Sequence, residues 1–145
     1  MKAYADTGFL CSLYAPDAHT VRVVGRMKAQ ELPLPIVWLH DIEFRNALRL
    51  RVFRREITQA ERESSLNAML SDVADGVLVH RAPPLQDILK EAERLSAVHS
   101  EGLGTRTLDI LHVAAALVLG CAVVLTFDRR QQALASAAGL RAPEI

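Results

Sequence analysis

Apolar residues follow two alternating rhythms along the chain. Short, mostly apolar runs at Lys2–Ala5, Ile36–Leu39, Val77–Val79 and Ala122–Thr126 have the length and composition of buried strands. Longer stretches between them carry helical spacing: Val21, Val24 and Met27 stand about one turn apart within Ala18–Gln30. Thr7–Tyr14, Asp41–Arg55, Thr58–Ala74, Pro83 to about His99, Leu108–Leu119 and Arg129–Ala138 complete the predicted helices. The punctuation agrees. Pro16 closes the first helix, Pro33 and Pro35 bracket a break, Gly76 and Gly139 stop helices, and Gly102 and Gly104 form a loop. Thr58-Gln59-Ala60-Glu61 fits a capping box, in which threonine and glutamate satisfy each other's backbone N–H. Strands alternating with helices predict parallel pairing through right-handed crossovers. The expected class is α/β: a three-layer α/β/α sandwich with a mainly parallel central sheet.

One segment is long and free of charge. Between Ile110 and Phe127 there is no Asp, Glu, Lys or Arg, which reaches the length of a short membrane span. Gly120 divides it, however, and His112 lies inside it. The Ala- and Leu-rich half favours helix and the β-branched half favours strand, so a buried helix, a glycine cap and a buried strand are expected. Half of the 145 residues are hydrophobic and 23% are charged, a globular composition that excludes intrinsic disorder. The length suits one compact domain. Cys11 and Cys121 sit among apolar residues, outside any Cys/His cluster. They read as buried, reduced thiols of a cytoplasmic protein, not as zinc ligands. Asp6 interrupts any signal-peptide core.

In open parallel sheets, sites form at the carboxyl ends of the strands. Asp6 directly follows the first strand, Glu43 opens the helix after the second, Asp128 lies just past the fourth, and Asp109 begins the most apolar helix. Each has an alternative: Asp6 and Asp128 as helix N-caps, Asp109 as a dipole partner near Thr107, Glu43 as an ion-pair partner of Arg45 or Arg49. Convergence of all four favours a site. Clustered carboxylates need compensating cations, and an oxygen-only set suits Mg²⁺ or Mn²⁺.

Four motifs then suggest a family. Ala5-Asp6-Thr7-Gly8-Phe9-Leu10, the glutamate–asparagine pair Glu43 and Asn46, Thr107-Leu108-Asp109-Ile110 and Leu125-Thr126-Phe127-Asp128 resemble, in order, those of PIN-domain ribonucleases. The resemblance covers residue 4 to about 139, with residues 1–145 forming one PIN-like nuclease domain. The small form is similar to the VapC toxins of toxin–antitoxin pairs. This implies endonucleolytic cleavage of RNA with Mg²⁺ or Mn²⁺, one or two ions, leaving 5′-phosphate and 3′-hydroxyl ends. Asp6 and Asp109 would be direct metal ligands. Asp128 would bind directly or through water, and Glu43 would hold a second ion or orient the attacking water. Thr7, Thr126 and Asn46 match positions that orient the carboxylates. It also implies a homodimer and a separately encoded antitoxin. Some family members carry a further acid soon after the last aspartate; here Arg129 and Arg130 follow, which bears on a second metal position.

Other residues fill in the picture. Arg45, Arg49, Arg51, Arg54 and Arg55 follow Glu43 without an intervening acid. They suit either a solvated face or a track for RNA, in which Arg45, Arg49 and Arg51, with Arg129 and Arg130, contact phosphate. His112 is expected as a hydrogen-bonded core histidine, His40 as a substrate contact at the mouth, and Asp41 as an N-cap. Apolar residues around Phe44–Phe53 and Leu66–Leu70 suit core packing, a dimer face or a partner helix. Two rival functions stand. Another Mg²⁺-dependent phosphate-transfer enzyme is disfavoured, because no lysine stands past a late strand and Gly8 occupies the place of a second aspartate. A non-catalytic RNA- or antitoxin-binding module of the same fold stays open. The 17 basic and 17 acidic residues balance to zero. With four acids assigned to a metal site, that balance is compatible with an arginine-rich surround and with local, metal-assisted binding of RNA.

Overall fold

The computed structural model describes residues 2–145. In chain order the elements are β1 (Ala3–Ala5), α1 (Thr7–Tyr14), α2 (Thr20–Lys28), β2 (Leu34–Ile36), α3 (Trp38–Phe53), α4 (Gln59–Ala74), β3 (Leu78–His80) and α5 (Leu85–Leu95). A π-helical turn (Ser96–Ser100) leads into the short α6 (Glu101–Leu103), followed by α7 (Thr107–Val118), β4 (Val123–Leu125) and α8 (Arg129–Ala137).

Among the described residues all strand pairing is parallel, as the alternation of elements predicts. β1 pairs with β4 (Tyr4 opposite Val124) and β2 with β3 (Pro35 opposite Val79). The side-chain period of two explains the layers. Ala3, Ala5, Val123 and Leu125 join one buried cluster with Phe9, Phe44, Leu48 and Met69 from α1, α3 and α4. Tyr4 and Val124, pointing the other way, join Ile88, Leu95, Val113 and Leu134 from α5, α7 and α8. Helices therefore cover both faces. The charge-free run divides as expected: α7 is buried nearly all round, Gly120 takes φ 67° as only glycine does readily, and β4 follows. Among the described residues no helix is long and apolar enough to cross a membrane. Both cysteines are buried and free.

Four expectations differ from the structure. The second strand ends at Ile36 and α3 already begins at Trp38, so Trp38 and Leu39 are helical. A short apolar run cannot by itself distinguish strand from helix start. The decisive contact is His40 Nδ1 accepting the Val37 N–H (3.0 Å), an N-terminal cap made by a residue type not usual in that role. Consequently Asp41 is not the N-cap; it sits in the first turn and pairs with Arg45 and His80. His40 is not at a mouth either: it is fully buried, and its Nε2 donates to the Ala5 carbonyl (2.8 Å), tying α3 to the end of β1. The helix after Pro84 gives way to the π turn at Ser96, so Gly102 is helical, and Gly104 (φ 64°) makes the stop.

Candidate functional site

Asp6, Glu43, Asp109 and Asp128 all line one cleft of about 370 Å³ at the carboxyl ends of β1 and β4. Each arrives for a local reason. Asp6 leaves β1 and caps α1, its Oδ1 accepting the Phe9 N–H (2.8 Å). Asp128 caps α8 through the N–H groups of Arg130 and Gln131 (2.8 and 3.1 Å). The N-cap reading of both is therefore correct, and it coexists with a place in the cleft. Asp109 lies in the first turn of α7 and is buried. Glu43 is one turn beyond His40 on α3; its predicted arginine partners are not used.

Thr126 joins two of the acids. Its hydroxyl donates to Asp6 Oδ2 (2.5 Å) and accepts the Asp128 N–H (3.0 Å). Thr7 donates to Glu43 Oε1 (2.9 Å). Glu43 also meets His112 Nε2 (2.5 Å), while His112 Nδ1 contacts the Tyr4 hydroxyl (2.8 Å). His112 is thus a hydrogen-bonded core histidine, as expected, and lines the cleft as well.

The two inner acids respond oppositely. Burial raises the Asp6 pKa above the usual carboxylate range, with Glu43 adding to it, although Thr126, His112 and the Phe9 N–H pull it down. Burial also pushes Glu43 up, but His112 and Thr7 more than offset it, so Glu43 ends below its ordinary value. Asp109 and Asp128 are bridged by Arg106, whose Nε lies 3.3 Å from Asp109 Oδ2 and whose Nη2 lies 2.8 Å from Asp128 Oδ2. Among the described residues no three His, Cys, Asp or Glu side chains stand close enough together to hold a metal ion in this arrangement. The donor set nevertheless fits a hard cation. Four carboxylates share a small cleft, and an organic cation already spans two of them.

The remaining predicted residues are spread more widely. Asn46 lies outside the acid cleft, on a neighbouring one of about 500 Å³ that it shares with Glu43, Trp38, Ile42, Leu50 and Leu108. Arg45 pairs with Asp41 along its own helix. Arg51 is turned to Asp17 (3.2 Å). Arg49 is exposed, as are Arg129 and Arg130 in the first turn of α8.

Sequence reasoning missed Arg106, His19 and Gln131. The Arg106–Asp109 spacing of three was a readable helix-start signal. His19 lines the cleft and lies against Phe127 (ring centroids 4.4 Å apart). Gln131 is 2% exposed and its Nε2 has no hydrogen-bond partner, which leaves a donor beside the acids. Nothing in a helical Gln-Gln pair distinguishes it beforehand.

The PIN domain family profile matches residues 3–137. Among curated protein sequences none matches this one. Solved structures share the fold. FitAcB from Neisseria gonorrhoeae is 14% identical over 98% of this chain and 96% of that chain, with a TM-score of 0.65. Mycobacterium tuberculosis VapC20, described as a sarcin-ricin loop cleaving toxin, is 20% identical over 96% of each chain, with a TM-score of 0.66. At such identities the likeness is one of fold.

Proposed function

Because the chain belongs to the PIN domain family, we propose that it is a Mg²⁺- or Mn²⁺-dependent endoribonuclease and the toxin of a toxin–antitoxin pair. The observation that carries this reading is the meeting of Asp6, Glu43, Asp109 and Asp128, from distant parts of the chain, in one cleft at the strand ends. Asp6 and Asp109 would be the direct ligands, with Asp128 ligating directly or through water. A bound divalent ion supplies charge neutralisation for the scissile phosphate and a more acidic attacking water. The chain's own groups do the rest. Thr126 fixes the Asp6 carboxylate from behind. Thr7 and His112 hold Glu43 ionised and oriented, ready to align a water and accept its proton. The exposed Arg129 and Arg130 offer contacts for neighbouring phosphates at the N-terminus of α8. Water attacks phosphorus as its proton passes to Glu43, the P–O3′ bond breaks, and the 3′ oxygen leaves and takes a proton from solvent water.

Partners follow from the apolar cleft beside the acids. Trp38, Ile42, Leu50 and Leu108 are 40–62% exposed there, more apolar surface in one place than scattered exposure provides. We assign this face to the homodimer contact or to an antitoxin helix.

The test uses purified protein and Asp6→Asn with structured and single-stranded RNA, in Mg²⁺, Mn²⁺ or EDTA. Metal-dependent cleavage that the variant lacks is the expected result. RNA that stays intact but bound would support instead a binding module that keeps the fold without the activity.

A further inference from the structure

The Arg106 side chain is 63% exposed, yet its guanidinium bonds to two acids that come from different elements, Asp109 of α7 and Asp128 before α8. A planar fork of donors suits two carboxylates, and it occupies the position between them that a bridging cation needs. We propose that Arg106 is a tethered counter-cation that competes with the divalent ion for Asp109 and Asp128 and is released to the rim of the cleft when the ion binds. This rests on the metal site proposed above.

The physical argument is one of charge and access. Asp109 is only 11% exposed at its side chain, so it needs a partner cation when no metal is bound. Arg106 supplies one from outside the core, immediately before the first turn of α7. An exposed guanidinium gives up an ion pair at small cost, because water replaces it readily. A divalent ion carries twice the charge and is preferred by the same oxygens. The arrangement therefore keeps the acids in register without metal and sets a threshold concentration for filling the site.

Arg106→Gln and Arg106→Lys are compared with the unmodified chain by calorimetric titration with Mn²⁺. Arg106→Gln is expected to bind Mn²⁺ about three- to tenfold more tightly, and Arg106→Lys, which keeps the charge but not the fork, to fall between. Equal or weaker binding by Arg106→Gln, with Mn²⁺ bound by the unmodified chain, overturns the role of Arg106 and leaves the metal site standing. Absence of Mn²⁺ binding in every chain overturns both. An independent readout needs no variant: the Arg106 Nε–H resonance should move towards that of a free guanidinium as Mg²⁺ is added. A resonance that does not move at saturating Mg²⁺ overturns the proposal.

Discussion

At the residue scale, Asp6 is held by opposing forces. Burial favours its neutral form, whereas the Thr126 hydroxyl, the Phe9 N–H and His112 favour the carboxylate that a metal needs. Thr126→Val removes one of those supports while keeping the shape. The Asp6 carboxyl, followed by carbon-detected NMR titration of metal-free protein, should then ionise at higher pH. Metal affinity or cleavage should fall about 10- to 100-fold. An Asp6 titration unmoved by the variant would show that Thr126 does not tune it. The four acids were legible beforehand because they stand at strand exits, as Asp6 and Asp128 do, or near helix starts, as Glu43 and Asp109 do. His19 and Gln131 were not, nor was the contact of Arg106 with Asp128. Their part comes from distances between elements far apart in sequence, as with Arg106 and Asp128, 22 residues apart.

At the element scale, α3 is where expectation and structure part. Its start depends on His40, whose two ring nitrogens are both used: Nδ1 accepts from Val37 and Nε2 donates to Ala5. That assignment needs a neutral ring. Burial, and then the charge of His112, push the His40 pKa from 6.5 down to about 4. Between these values the unfolded chain takes up a proton that the fold refuses. Stability should therefore fall as pH drops through this window, by up to about 3 kcal/mol. The raised Asp6 pKa acts in the opposite sense as pH falls, so the informative comparison is with His40→Gln. Urea unfolding at about pH 7 and about pH 4.5 should show the unmodified chain losing more stability than the variant. Equal losses would remove His40 as the cause. The capping box of α4, by contrast, was legible from Thr58 and Glu61 alone, since a local pair defines it. Thr58→Ala should cost about 1 kcal/mol in the same experiment; no loss would mean that the cap contributes little.

At the scale of the whole molecule, side chains that alternate in direction along β1 and β4, buried on both faces, explain why this sequence makes two helical layers. The apolar runs announce the sheet, but two strands are displaced from them: β2 shares only Ile36 with the run Ile36–Leu39, because Trp38 and Leu39 open α3, and β3 lies one residue beyond the start of Val77–Val79. Charge is organised on the same scale. Zero net charge hides an acid cleft with exposed arginines on α3 and α8. Arg45 and Arg51 are engaged by Asp41 and Asp17, which narrows the proposed RNA track on α3 to Arg49. Arg49→Glu should weaken RNA binding and lower the salt dependence by about 0.7–1 in log–log slope. Unchanged binding by filter titration over a salt series would place RNA elsewhere.

The end chemistry of RNA fragments produced with Mg²⁺ tests whether the acid cleft cleaves RNA by activating water. Water activated at the acid cleft predicts 5′-phosphate and 3′-hydroxyl ends, formed by the unmodified chain and absent with Asp6→Asn. Cyclic 2′,3′-phosphates with 5′-hydroxyls, or fragments that persist undiminished in Asp6→Asn, would contradict it.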